Sequence, residues 1–321
     1  MEKENLRILS ASRIKTLETC SWSYWASYHL KLPQKQNEGA ARGTICHLVF
    51  ELLLNKRHKS HYLNMMKRGC LTPAIKRLVL KHAIKQKIDS EANLTMIEEM
   101  IWVGINTDFY GKGGKLDEPE REFLLESEEP KYKIKGFIDK TILYKKENKV
   151  KIVDYKSSKG KFKDDDLTAN IQAMTYTLAS KKKLWPDIDN VSVEFVFLRF
   201  PKQPLQEVHI KEEELGGFEY YLEHMFKIIN DFKEKDAKSN FAADSDKNKW
   251  LCKAGKTWKC PYYDPYDYHV LLDENGAILN SAFESEKLKI QKDGQTIEKR
   301  RHEGCPAHKH APNKSDDSFD F

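Results

Sequence analysis

No run in this 321-residue chain approaches the roughly 18 apolar residues of a membrane span, and its start, "MEKENLRILSASR", lacks the apolar core of a secretory signal. These absences predict an intracellular, cytoplasmic protein without membrane contact. No internal repeat is present, which excludes solenoids and propellers. Cysteine is scarce: Cys20, Cys46, Cys70, Cys252, Cys260 and Cys305 are the six. Without a secretion signal, such a set argues against a disulfide framework and leaves free thiols or a metal site. Neither sign of charge dominates. The 55 Lys and Arg against 49 Asp and Glu give +6, which permits a polyanionic partner without requiring one.

What the chain does have is enough length for one large domain or two modest ones. "ILSASRIKTLETCSWSYWASYHLKLP" (8–33) predicts an aromatic-rich helical run, "NEGAARG" (37–43) a loop, and "TICHLVFELLL" (44–54) an amphipathic helix. Residues 55 to about 112 read as helical and polar, with no chemical signature. From Glu120 the pattern turns to strands: "REFLLES", "KYKIKGFIDKTILY" (131–144) and "KVKIVDYK" (149–156). "DDDLTANIQAMTYTLASKKK" (164–183) predicts one helix, acidic at its start and basic at its end as the helix dipole favours. A further strand follows at 190–200, then a long helix over 212–235 interrupted near Gly216 and Gly217. Residues 240–321 are irregular and end in the acidic "SDDSFDF".

If "KKEN" (145–148) is a four-residue hairpin loop, Tyr144 pairs with Lys149. Asp139 then lies opposite Asp154, and Phe137 opposite Lys156. Opposed residues of an antiparallel pair share a face, so Asp139, Asp154 and Lys156 converge. Two neighbouring carboxylates repel unless a cation or proton intervenes. An oxygen-rich site of this kind suits Mg²⁺ or Mn²⁺. A cross-strand salt bridge on a solvated sheet is the competing reading, and the residues alone leave the two about even.

Four motifs in order resemble the PD-(D/E)XK nucleases, in particular their RecB-like exonuclease branch, with its cluster-containing CRISPR-adaptation and phage members. "GFID" (136–139) and "VDYKSS" (153–158) look like the signature hairpin. "RGTICH" (42–47) is similar to the upstream Gly-x-x-x-His motif through Gly43 and His47, and "QAMTY" (172–176) to the Gln-x-x-x-Tyr motif. The resemblance implies an α/β restriction-endonuclease-like core: a mixed central sheet flanked by helices, with a helical insertion. It implies that His47, Asp139, Asp154 and the backbone carbonyl of Tyr155 bind the metal. Lys156 would position or activate the attacking water. Gln172 and Tyr176 would contact DNA or brace Lys156, Glu51 would orient His47 from one helical turn away, and Lys159, Lys161 and Lys163 would follow the DNA backbone. Glu122 is a weaker acidic candidate.

Relatives also staple their ends with a [4Fe–4S] cluster held by one early and three late cysteines, which implies Cys20, Cys252, Cys260 and Cys305 here. The late spacing departs from the family's: its next cysteine is replaced near Tyr266, and Cys305 lies far downstream. Zinc on Cys252, Cys260, Cys305 and His308 is the competing set. Cys46 and Cys70 read as ordinary helix thiols.

The organisation expected is N-terminal helices (1–54), a helical insertion (55–118), the nuclease core (119–240), a Cys-containing segment packing back on it (241–308) and a disordered acidic tail (309–321). That tail would dock a replication or recombination partner, mimic DNA in the chain's own groove, or only solubilise the chain. The function implied is a divalent-metal-dependent DNA exonuclease of recombination, repair or replication-linked end processing in a bacterium or phage-infected cell. The rivals are a catalytically silent DNA-binding or scaffold subunit of the same fold, and a structure-specific endonuclease.

Overall fold

Two short helices, α1 (Ala11–Thr19) and α2 (Ser21–Tyr28), are separated at Cys20, whose thiol accepts a bond from the Ser23 N–H and caps the second. Then comes α3 (Glu38–Leu54), which starts earlier than the apolar pattern suggests. The Asn37 side chain accepts from the Gly39 N–H and draws "GAARG" into the helix instead of leaving it a loop. Three helices follow: α4 (Lys59–Arg68), α5 (Pro73–Lys85, capped by Thr72) and α6 (Glu91–Ile105, capped by Ser90).

The strands β1 (Lys115–Leu116), β2 (Arg121–Glu126), β3 (Lys133–Ile138), β4 (Lys140–Tyr144) and β5 (Lys149–Lys156) come next. The single helix expected over 164–183 is instead α7 (Asp164–Thr168) and α8 (Ile171–Ala179), followed by a π turn at Ser180–Leu184. Asn170 restarts the helix by accepting from the Gln172 and Ala173 N–H groups. After β6 (Asn190–Phe197) and β7 (Leu205–Val208), helix α9 (Glu212–Asp231) runs unbroken through Gly216 and Gly217. Its buried stripe of Leu215, Phe218, Leu222, Met225 and Ile229 outweighs the glycine cost. Two short strands, β8 (Lys253–Ala254) and β9 (Trp258–Lys259), precede β10 (Tyr266–Leu272), β11 (Ile278–Ala282) and β12 (Thr296–His302).

This computed structural model describes residues 7–35, 37–127, 129, 131–254 and 258–308; the acidic tail lies outside them. The chain divides into two units. One comprises residues 7–11 and 37–230, the other 12–35 and 231–308. The first holds a five-stranded mixed sheet in the order β1-β4-β5-β6-β7, antiparallel except for β5 with β6, and a separate β2-β3 ribbon. Its core joins α3, α5 and α6 to one sheet face through Ile45, Val49, Phe50, Ile97, Ile101, Ile142 and Val153. In the second unit, β11-β10-β12 form an antiparallel sheet with β10 in the middle, and Tyr268, Val270 and Leu272 pack against Ala26, Leu32 and Tyr262. No helix among the described residues is long and apolar enough to cross a membrane.

Gly104 of α6 lets α3 approach closely, since a Cβ there would overlap the Phe50 ring. Gly104→Ala is therefore expected to destabilise the chain by about 1–3 kcal/mol in urea denaturation, despite alanine's better helix propensity. Phe50→Leu in the same chain should recover part of that loss.

Candidate active site

The hairpin register is the one that loop length requires, from Tyr144↔Lys149 to Lys140↔Val153. It stops there. The strand expected over 131–144 breaks at Asp139: β3 leaves to pair with β2, and only β4 stays in the large sheet. Asp139 thus has no ladder partner, and its Oδ2 accepts instead from the Tyr155 N–H at 2.8 Å. That bond keeps it beside Asp154. Phe137 pairs with Glu122, not with Lys156. Lys140 is buried next to Asp139, and its ammonium donates to the carbonyls of Asp108 and Phe109. Burial pushes that ammonium down to about 8.

Helix α3 delivers His47. Its Nδ1 lies 3.3 Å from Asp139 Oδ1 and 3.7 Å from Glu120 Oε1, and its Nε2 lies 3.0 Å from the Tyr155 carbonyl oxygen. The expected orienting partner, Glu51, is exposed on the same helix, and the imidazole turns to the buried carboxylates instead. Gly43, one turn earlier, leaves room for Ser157, whose Oγ would lie 2.5 Å from a Cβ at this position. Burial opposes charge on His47. The hydrogen bonds to Asp139 and Glu120 and the nearby carboxylates overcome it, raising the imidazole from 6.5 to about 10. Asp139 is pushed up by burial and by Asp154, against the pull of His47.

Asp154 is buried and held by Lys156, Gln172 and Tyr176, whose hydroxyl lies 3.1 Å from Oδ1. Its Oδ2 pairs with Lys156 Nζ at 2.6 Å, and its Oδ1 accepts from Gln172 Nε2 at 2.7 Å. Lys156 Nζ also donates to Gln172 Oε1 at 2.5 Å. Gln172 Nε2 donates to the Tyr176 hydroxyl at 2.6 Å, and that hydroxyl in turn donates to the Phe137 carbonyl at 2.7 Å. Burial and the neighbouring carboxylates hold the Tyr176 phenol well above its usual range, so it stays a neutral donor. Gln172 and Tyr176, one turn apart on α8, thus tie β3 to the Asp154–Lys156 pair.

Sequence reasoning missed Glu120. One oxygen of the Glu120 carboxylate, one ring nitrogen of His47 and one carboxylate oxygen of Asp139 all lie within 4.8 Å of one another. Glu120 has a left-handed backbone, φ +52°, and its N–H donates to the Asp139 carbonyl at 3.2 Å. Glu122, the acidic residue weighed from sequence, faces solvent on β2. The loop after β5 exposes Lys159 and Lys163, while Lys161 lies over the Phe200 ring. One imidazole, two or three carboxylates and a backbone carbonyl suit a hard divalent cation better than a soft one.

In the second unit, Cys20, Cys252, Cys260, Cys305 and His308 line one cavity of about 460 Å³. Cys305 returns to it after β12, where its N–H donates to the Tyr263 carbonyl at 3.1 Å. Burial above all, and then the other thiols, push Cys260 up to about 11 and Cys305 up to about 12. Cys46 is buried and Cys70 exposed, both on or beside helices of the other unit.

A metal-ready group of histidine and carboxylates beside a carboxylate–lysine pair, at the end of a mixed sheet, is the arrangement of a nuclease-like site. The chain belongs to the PD-(D/E)XK nuclease superfamily, whose family model matches residues 8–264. Among solved structures it is similar to a candidate exonuclease of Eubacterium rectale, at 14% identity, over 80% of this chain and 95% of that one, with a TM-score of 0.45. It is also similar to protein VC1899 of Vibrio cholerae, at 15% identity, over 70% and 59% of the two chains, with a TM-score of 0.22. No curated protein matches the sequence.

Because the imidazolium of His47 is stabilised by folding, its contribution is complete below pH 6.5 and is lost as pH rises through about 10. In chelator, urea-denaturation stability should fall across that window, and fall less in His47→Gln. A cation seated on His47 must displace the same proton. Calorimetry in buffers of different ionisation enthalpy is therefore expected to detect proton release when Mg²⁺ or Mn²⁺ binds at neutral pH.

Proposed function

We propose that the chain is a divalent-metal-dependent deoxyribonuclease of the RecB-like branch that trims DNA from ends. The observation that carries this reading is the convergence of His47, Glu120 and Asp139 beside the braced Asp154–Lys156 pair. His47, Asp139, Asp154 and the Tyr155 carbonyl would hold Mg²⁺ or Mn²⁺, with Glu120 as a further carboxylate. The ion would supply polarisation of the scissile phosphate and of water. Lys156 positions the attacking water and offsets charge growing on the phosphate. Gln172 fixes the ammonium for that task, and Tyr176 fixes Gln172. Lys159, Lys161 and Lys163 follow the backbone of the strand being cut.

The test is hydrolysis of end-labelled linear and circular DNA with Mg²⁺ or Mn²⁺. Asp154→Ala, Asp139→Ala and Lys156→Ala are each expected to lower the rate by about 10²-fold or more, with circular DNA spared. Equal rates in all variants, or none in the wild type, would leave a silent DNA-binding subunit. Cutting of circles would make it an endonuclease.

The cysteine cavity supports a second part of the same reading, a [4Fe–4S] cluster on Cys20, Cys252, Cys260 and Cys305. Four thiols around one cavity meet the usual ligand count. Anaerobically purified protein should be brown, with about four irons per chain, and should lose them in Cys305→Ser. Zinc in place of iron would reassign the site to Cys252, Cys260, Cys305 and His308.

A further inference from the structure

The segment from Leu52 to Ile88, covering α4 and α5, contains ten Lys and Arg, three His and no Asp or Glu. Removing it leaves 45 Lys and Arg against 49 Asp and Glu, so the chain owes its net positive charge to these 37 residues. All ten cations, Lys56 to Lys87, are exposed. None forms an ion pair among the described residues, although Lys and Asp or Glu pair at many other places.

Ordinary helix physics explains little of this. Lys67, Arg68 and Lys85 sit in last turns, where the dipole favours a cation. Lys56 and Arg57 lie in a single 3-10 turn, and the other five have no such reason. Arg77, Lys81 and Lys85 repeat at i, i+4 and i+8, a like-charge stripe that opposes helix formation. The stripe is displayed rigidly, because the opposite sides of the two helices are sunk into the core through Met65, Ile75, Val79 and Ala83. That core includes Ile45 and Val49 of α3, the helix that carries His47.

We infer that α4 and α5 form a nucleic-acid-binding face, contacting the sugar–phosphate backbone outside the metal-ready cleft. Uncompensated cations fixed on a rigid element bind a polyanion by releasing its counterions. A lipid surface fits less well. A helix lying in a membrane interface presents its main apolar stripe outward, and here those stripes are already spent on the core. Leu63, Met66, Leu80 and Ile84 are the half-exposed exceptions, and they offer contacts to sugars or unpaired bases between the cations. The choice of nucleic acid among polyanions rests on the nuclease reading; the charge pattern does not.

The test is fluorescence anisotropy of the full chain, in chelator so that no cleavage occurs, with a labelled DNA duplex and the matching single strand across a salt series. Arg77→Gln, Lys81→Gln and Lys85→Gln together should weaken binding about tenfold or more and lower the slope of log affinity on log salt by about 2–3. The control carries Lys287→Gln, Lys289→Gln and Lys292→Gln, the same change of charge in the other unit, and should alter affinity less than about twofold. Glutamine keeps helix propensity, and circular dichroism checks it. A stronger effect on the single strand assigns the face to unpaired DNA, and an equal one to the backbone of either form; both support the inference. It is overturned if the wild type binds neither DNA, if the two triple variants behave alike, or if phosphatidylserine vesicles bind more tightly than both. Loss of binding in a chain that never cleaves would keep this face and remove the enzyme. Unchanged binding in a chain that cleaves would do the reverse.

Discussion

Two carboxylates, Asp139 and Asp154, are buried side by side at the end of the central sheet, and the surrounding architecture answers their mutual repulsion. Burying like charges is costly without counter-charge or hydrogen bonds. Here Asp154 takes Lys156 and Gln172, while Asp139 takes His47 and the Tyr155 N–H. The four partners come from three elements: α3, β5 and α8. The site is therefore also a tie between layers, and its residual negative field is what a divalent ion would satisfy.

The break of the strand at Asp139 follows from the same constraint. A continuous β3–β4 strand would hold Asp139 in the ladder, with its backbone paired and its side chain fixed by the pleat. Leaving the ladder frees its carboxylate to accept from Tyr155 and its carbonyl to accept from Glu120. The second bond holds Glu120 in a left-handed conformation that points a third acidic group at His47. Such strain at a non-glycine residue is characteristic of places where geometry serves a ligand.

The two units treat charge differently. In the nuclease-like unit, positive charge is gathered on α4 and α5 and negative charge at the cleft. In the second unit, charges on the three-stranded sheet neutralise one another: Asp267 alone holds both Lys299 and Arg301. A surface whose cations go uncompensated is a place where a polyanion would dwell. The segment 52–88 is legible in the sequence as helical and polar, but that its cations are all exposed and outside ion pairs among the described residues depends on the fold.

From sequence alone came the elements that depend on neighbours in the chain. The β4–β5 register follows from a four-residue loop, the pairing of His47, Asp139, Asp154 and Lys156 from ordered motifs, and the Gln172–Tyr176 face from helical spacing. Tertiary structure decided what depends on distant groups. It turned His47 from Glu51 toward the sheet, chose Glu120 over Glu122, and brought Cys305 back to Cys20 after a forty-residue excursion. It also restarted the helix at Asn170 and carried α9 through two glycines, because capping and burial outweigh local propensity. Local spacing fixes periodicity and register, whereas the partner of a buried charge is set by whichever group the fold delivers to it.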